Sequence, residues 1–362
     1  MQISDIFKDI EDPRMDRKKL HLLSDIIGLT VIAVICGMEG WEMIEDFGNA
    51  KIEFLRTLLP LKNGIPSHDT IERVFRLMKP ESFAVAFQNF VTHLGGRTQG
   101  NHVSFDGKSL RGSQDEINGK SAINMVSAWV AENKMVFAQI KVENKTNEIT
   151  ALHQLVALLD LKGSVVTIDA IGCQKDLTQE IVDAKADYII GLKDNQKTLF
   201  KQAKSLFSIE KPSDVYENTE KNGGRIETRK CTVIQSLTFL DEAEKWPTIK
   251  SIIRIESTRQ TKDKISTESR YYISSKTDSA QNLAKTIRDH WGIENSFHWV
   301  LDVGFNEDHN RKRKDHAPEN FALVRRIALN LLKQDKSNRH GIQNRRIKAG
   351  YDNAYLLKIL RF

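Results

Sequence analysis

Val165-Val166-Thr167-Ile168-Asp169 is a short run, apolar almost throughout and closed by an acid. A strand of this kind has no face to give to water, so it belongs in the middle of a sheet covered on both sides, as central parallel strands are. The flanking sequence supplies the covers. Residues 148–161, 177–186 and 196–207 carry apolar side chains at helical spacing, and Tyr188-Ile189-Ile190-Gly191-Leu192 lies between the last two as a further strand.

Upstream, Val103-Ser104-Phe105-Asp106 reads as a short strand, and 122–142 alternates in a way that suits a hairpin turning at Glu132-Asn133-Lys134. Before Gly95-Gly96, which breaks the chain at a domain boundary, the pattern is helical. Ser24 or Asp25 is placed to cap a helix over 26–38, and a second over 41–59 ends at Pro60. Asp69 followed by Glu72 has the look of a capping pair, with Ile71, Val74, Phe75 and Met78 behind it on one stripe; a further helix covers 82–94. Between 215 and 275, strand-like pieces at 231–234, 252–256 and 270–274 are separated by polar turns. Strand, hairpin, helix, strand, helix, strand is the order of a ribonuclease H-like α/β fold, so the expected class is a mixed-sheet core of that type with a β-rich insertion, preceded by an all-helical N-terminal domain. The expected divisions are 1–97 for the helical domain, 98–336 for the core with its insertion at about 213–277, and 337–362 for a basic C-terminal tail.

Cys36, Cys173 and Cys231 stand far apart with no C-x-x-C pair, so neither a disulfide framework nor a thiolate zinc site is indicated, and a reducing cytoplasm is the expected compartment. The longest apolar run, 26–36, is too short to span a bilayer, and what precedes it does not resemble a secretory signal. The net charge of +6 is unevenly spread: twelve basic and four acidic side chains fall between Asp308 and Lys348. A local surplus of that size attracts polyanions, of which nucleic acid is the commonest; the alternative is a well solvated helix face.

Asp106 and Asp169 each close a strand, and ligands bind open α/β sheets outside the carboxyl ends of their strands. If the two strands are neighbours, the carboxylates converge; otherwise each starts a turn or caps a helix. On a helix predicted over 279–301, Leu283, Ile287, Trp291, Glu294 and His298 follow steps of four, four, three and four, which puts Glu294 on the apolar stripe. Burying an unpaired carboxylate is costly, so it is expected to be paired, with His290 or Arg288, or protonated, or bound to a metal. Three carboxylates without a cysteine or a nearby pair of histidines make an oxygen-rich site suited to Mg²⁺ or Mn²⁺ and point to phosphate chemistry. Two such ions roughly 3.5 to 4 Å apart activate the attacking oxygen and stabilise the leaving one. Asp106 is placed to bridge both, Asp169 and Glu294 to complete one shell each, with Asp194, Asp302 and Glu307 as helpers.

The motifs carry a resemblance that covers nearly the whole chain. Residues 103–112, Val-Ser-Phe-Asp-Gly-Lys-Ser-Leu-Arg-Gly, resemble the first-aspartate motif of bacterial insertion-sequence DDE transposases, and Ile168-Asp169-Ala170 with Gln174 resembles the second. His290-Trp291-Gly292-Ile293-Glu294-Asn295 with His298-Trp299-Val300-Leu301-Asp302-Val303 resembles the glutamate motif of the H-repeat-associated branch, and Pro66-Ser67-His68-Asp69-Thr70 extends the match into the helical region. The resemblance implies catalysis by Asp106, Asp169 and Glu294 with two Mg²⁺ ions, for which Mn²⁺ substitutes, and cut-and-join chemistry on double-stranded DNA at terminal inverted repeats and a target. It also implies a homodimer in the synaptic complex and a nucleoid-associated protein in the cytoplasm. Many relatives in the wider group carry a tyrosine and an arginine before the glutamate and a lysine after it. Ile287, His290 and Leu301 stand at those positions here, so those roles do not carry over. The expected DNA contacts are instead Lys108, Arg111, Lys193, Arg288, His290, His298, Arg311, Lys312, Arg313 and Lys314, with Gly107 permitting close backbone approach. Trp291, Phe297 and Trp299 are either core aromatics or platforms for an unpaired base. A metal-dependent nuclease without strand transfer and an inactive DNA-binding remnant are the competing functions.

Overall fold

The computed structural model describes residues 3–115, 119–142, 148–262 and 264–361. Its strands are β1 (His102–Leu110), β2 (Ile123–Val130), β3 (Met135–Val142), β4 (Val165–Ile168), β5 (Asp187–Leu192), β6 (Asp214–Asn222), β7 (Arg225–Ile234), β8 (Ser251–Gln260) and β9 (Ile265–Ser274). They form one mixed sheet in the order β3-β2-β1-β4-β5-β9-β8-β7-β6. β4 runs parallel to β1 on one side and β5 on the other, which is the place its two-sided apolar character requires. The β2–β3 hairpin turns at the expected residues, and its pairing shifts between Ala128 and Trp129.

The β-rich insertion is present but does not stand apart. β5 would otherwise offer a bare edge of unpaired backbone groups, and β9 closes it: Ile189 to Leu192 pair antiparallel with Ser274 to Tyr271, so β6–β9 extend the sheet. Alternation then builds two cores. Ile252 and Ile273 face the main core, while Cys231, Val233, Ile253 and Ile255 face a smaller one capped by Ala280, Leu283 and Ile287.

Every described element before Gly95 is helical: α1 (Leu23–Ile35), α2 (Trp41–Ala50), α3 (Ile52–Leu55), α4 (His68–Leu77) and α5 (Pro80–His93), with short 3₁₀ turns before α1. Neither expected N-cap is used. Asp25 lies inside α1, buried, and its Oδ2 accepts the Leu61 amide at 2.9 Å, tying down the chain after α3. At α4 the capping position is Ser67, and Glu45 of α2 accepts the His68 amide at 2.8 Å, so the helix start is satisfied from outside rather than by Asp69 and Glu72.

Around the sheet follow α6 (Glu148–Leu158), α7 (Lys175–Asp183), α8 (Lys197–Ile209), α9 (Ala280–His290), α10 (Trp299–Phe305), α11 (Ala317–Gln334), α12 (Ile342–Tyr351) and α13 (Asn353–Leu360). The segment expected to be a basic tail is folded: α12 packs on α1, α10 and α11, and α13 on α11 and α12. Among the described residues no helix is long and apolar enough to cross a membrane.

α11 is buried from Ala317 to Leu332, and its polar side chains bind it to everything around it. Asn320 donates to the Phe75 and Met78 carbonyls at the end of α4, at 2.9 and 2.8 Å. Asn330 accepts the Val136 amide and donates to its carbonyl on β3, at 3.0 and 2.9 Å. Arg325 reaches Glu39 at 2.8 Å, and Arg326 pairs with Glu307, an ion pair almost wholly out of water. Removing one partner of such a pair strands the other charge, at a cost of about 3 to 5 kcal/mol. Arg326→Leu is therefore expected to lower stability by about 3 kcal/mol, the lower end because Arg325 remains 3.8 Å from Glu307. Equilibrium denaturation checks it.

Candidate active site

β1 and β4 bring the two aspartates together. Phe105 pairs with Ile168 in the parallel register, so Asp106 and Asp169 follow side by side; Asp169 closes β4 as expected, whereas β1 does not end at Asp106 but runs on beside β2 to Leu110. Asp169 does both things its position allows: it faces the rim, exposed, and its Oδ1 accepts the Ile171 amide at 3.0 Å, starting the 3₁₀ turn Ala170–Gly172. Gly191 on β5 makes room for that turn, since a Cβ there would lie 3.0 Å from the Ala170 nitrogen.

Glu294 arrives from the helical side by an irregular route. The single helix expected over 279–301 is broken: α9 ends at His290, Glu294–His298 form a π-turn, and α10 follows. The Trp299 amide bonds to the Glu294 carbonyl five residues back, the extra residue that defines such a turn. That residue shifts the apolar stripe. Trp291 is exposed, Ile293 and Phe297 take the buried positions, and the Glu294 side chain, expected to be buried, is 60% exposed.

The partner of Glu294 is neither His290 nor Arg288. His298 Nδ1 lies 2.9 Å from Glu294 Oε2 and 3.5 Å from Asp106 Oδ2, with the ring buried and Nε2 without a hydrogen-bond partner among the described residues. Asp106, Glu294 and His298 each offer one ligand atom within 4.8 Å of the others. The hydrogen bond from His298 holds the Glu294 carboxyl below its usual range. Asp106 goes the other way: burial, reinforced by the charges of Asp169 and Glu294, pushes its carboxyl up to about 6. Burial and the neighbouring acids thus outweigh the opposing pull of His298 and of the Gly107 amide, and the donors of the pocket are two carboxylates and an imidazole.

Most of the other expected contacts are engaged elsewhere. Lys108 lies on β1 among Asp302, Asp308 at 3.3 Å and Glu307 at 4.0 Å, its side chain only 8% exposed. Glu307 itself belongs to the pair with Arg326, and Asp302 to Lys108, so neither is free to help at the rim. Arg288 makes a two-pronged bond to Glu220 of β6, both prongs 2.6 Å. His290 Nδ1 lies 2.9 Å from Thr167 Oγ1, which lies 2.8 Å from His102 Nε2; burial pushes both imidazoles down to about 4, so both are neutral beneath the rim. Lys312 lies over the Trp41 and Phe321 rings and donates to the Glu39 carbonyl, and burial pushes its amine down to about 7. Arg313 donates to the Gly112 carbonyl at 3.1 Å, and Lys314 lies 3.6 Å from Glu72. Arg111, Lys193 and Arg311 are exposed, Arg111 with Asp308 at 3.6 Å. Gly107 admits the Glu148 carboxylate, which a Cβ would meet at 2.3 Å, so that close approach is taken by the protein itself. Phe297 is core, stacked on Trp129 at 5.6 Å, and Trp299 is exposed.

Residues 97–331 match the family model described as the transposase DDE domain, and residues 4–91 match the model of the domain associated with it. The chain is 41% identical over 365 residues to "Putative transposase YncI" of Escherichia coli O157:H7, covering 98% of this chain and 93% of that one. It is 38% identical over 362 residues to "H repeat-associated putative transposase YhhI" of Escherichia coli K12, covering 97% and 95%. A piggyBac transposase synaptic complex with hairpin DNA aligns over 99% of this chain and 77% of that one at TM-score 0.45 and 11% identity, a likeness too distant to carry an argument. The mixed sheet with its acidic rim is thus that of a transposase. The chain belongs to the DDE transposase family, with relatives named as H repeat-associated transposases.

The raised Asp106 has a measurable consequence in metal-free protein. A carboxyl raised from 3.8 to about 6 holds its proton more tightly folded than unfolded, so its contribution to stability is full below about 4 and is lost as pH rises through about 6. In chelator, Asp106→Asn is expected to raise the melting temperature at pH 8 and to leave it near wild type at pH 4. Scanning fluorimetry at the two pH values checks it; an unchanged melting temperature at pH 8 contradicts the burial penalty.

Proposed function

We propose that the chain cuts DNA at the ends of an insertion sequence and joins the freed ends to a target, using Asp106, Asp169 and Glu294 to hold two divalent cations on a ribonuclease H-like core. The observation that carries this reading is the pairing of Phe105 with Ile168, which sets two acids side by side on the rim, together with the bridge from Glu294 through His298 to Asp106. The donor chemistry fits hard ions: the carboxylates suit Mg²⁺, and the imidazole of His298 is tolerated by Mn²⁺ as well. When bound, the ions supply activation of a water or a DNA 3′-hydroxyl and stabilisation of the leaving oxygen.

The protein's own contribution is placement. His298 orients Glu294 and Asp106 through one nitrogen, Gly107 donates its amide to Asp106 Oδ1 at 2.9 Å, and the neutral pair His102 and His290 adds no charge beneath the rim. Of the expected contacts, Arg111, Lys193, Arg311 and Lys314 have exposed positions for phosphates; Arg288, though exposed, is paired with Glu220, and Lys108 and Lys312 hold the protein together instead. The helical segment 1–97 is the proposed binder of element ends, and synapsis of two ends calls for a homodimer.

Asp106→Asn, Asp169→Asn and Glu294→Gln are each expected to reduce Mg²⁺-dependent cleavage below about one hundredth while leaving salt-sensitive DNA binding intact. The assay incubates each pure protein with a pre-cleaved element end and a target plasmid. A variant that still cuts removes that residue from the site, and wild-type cleavage without joined product makes the protein a nuclease.

A further inference from the structure

Lys333, near the end of α11, is a costly residue where it stands. Its side chain lies over the Trp129 ring, 4.3 Å from the centroid, and no acid among the described residues compensates it: the neighbouring charges that act on it, Lys134 and Arg345, are both positive. A buried amine without a carboxylate is expected to have a specific hydrogen-bond acceptor. The acceptor is the Ser296 carbonyl, inside the π-turn that carries Glu294 and His298.

We infer that Lys333 is a positioning residue for the metal site: its bond to Ser296 holds the π-turn in the register that aims Glu294 and His298 at Asp106. The inference rests on the site reading above. A π-turn is a weaker arrangement than the α-helix it interrupts and persists where its surroundings support it. Here the supports converge on two consecutive residues. Ser296 receives Lys333, and Phe297 is stacked between Trp129, at 5.6 Å and 11°, and the Arg326 guanidinium, 5.4 Å from its centroid. Trp129 thus carries both the amine of Lys333 and the ring of Phe297.

Reversion of the turn to α-helix would remove one residue from the winding and rotate one flank against the other by about 100°. α10 is not the flank that yields, because Leu301 and Phe305 are buried and Arg346 donates to the Gly304 carbonyl. α9 is packed too, through Leu283 and Ile287, so the rotation falls on the segment between the two helices and would carry Glu294 off the line from His298 to Asp106. Two observations meet at this lysine: a helical irregularity that needs support and a desolvated amine without a carboxylate each account for the other.

The test is Mn²⁺ binding to the full-length protein by titration calorimetry, for wild type, Lys333→Met and Glu294→Gln, with melting temperature and circular dichroism to establish folding. Lys333→Met keeps the apolar stem over Trp129 and removes the donor. It is expected to fold and to bind Mn²⁺ at least about tenfold more weakly, as loss of a group that orients a ligand does. Its DNA cleavage is expected to need correspondingly more metal. Wild-type Mn²⁺ affinity in folded Lys333→Met overturns the proposal, whatever its melting temperature. Should that variant not fold, Lys333→Gln, too short to span to Ser296, carries the same two outcomes. Glu294→Gln separates the failures: unchanged Mn²⁺ binding in it refutes the reading of the site, whereas loss there with none at Lys333 refutes only the positioning role.

Discussion

The molecule is organised by one buried helix whose polar side chains cannot reach water. α11 is surrounded along most of its length, and apolar packing alone would leave its rotation and register loosely set, because dispersion and hydrophobic contacts have little direction. Hydrogen bonds do have direction. Asn320 fastens the end of α4, Arg325 the loop after α1 through Glu39, Arg326 the turn at Glu307, Asn330 the outer strand β3, and Lys333 the π-turn. Five side chains on one helix therefore set the helical region, the sheet and the glutamate-bearing segment relative to one another. The aspartates come with the sheet; the glutamate comes with the helices, and α11 joins the two.

This arrangement changes what the basic segment means. The surplus between Asp308 and Lys348 reads in sequence as a surface for polyanions, yet Arg325, Arg326 and Arg346 are buried and Lys312 and Lys333 are packed over aromatic rings. A run of cations carries no mark of which members face water. Each buried arginine is matched by an acid distant in sequence, Glu39 for Arg325 and Arg346 and Glu307 for Arg326, and only the fold brings them together. The cations left outside are fewer and more dispersed than the count suggests.

Much of the sheet was legible because burial on two faces leaves a trace that local sequence cannot hide. β4 and β5 are short, apolar and followed by turns, and the start of β1 reads the same way; Asp106 and Asp169 stand out there by position, although β1 runs on past Asp106 to Leu110. β6 was not found. Its sequence, Asp214-Val215-Tyr216-Glu217-Asn218-Thr219-Glu220-Lys221-Asn222, is mostly polar, as suits an outermost strand, and it is held by ladder bonds to β7 rather than by burial. The extension of β5 by β9 was equally silent, because strand pairing is a relation between distant segments and neither edge advertises its partner. The burial expected of Glu294 does not hold. Spacing placed it on an apolar stripe only under an unbroken 3.6-residue period, and the π-turn adds a residue that the pattern of apolar positions does not encode.

The electrostatics of the rim follow from these placements. Below it, Thr167 links two imidazoles that burial keeps neutral, so the sheet delivers no positive charge to the aspartates. Beside it, the nearest lysine on the same strand, Lys108, is taken up by Asp302 and Asp308, which leaves its charge spent within the protein. What faces Asp106 is His298, shared with Glu294 through one nitrogen. Acids are gathered, their natural counter-charges are directed away, and a single imidazole sets their geometry. The geometry of such a site depends on how firmly the helical segment that brings Glu294 is held against the strand that brings Asp106.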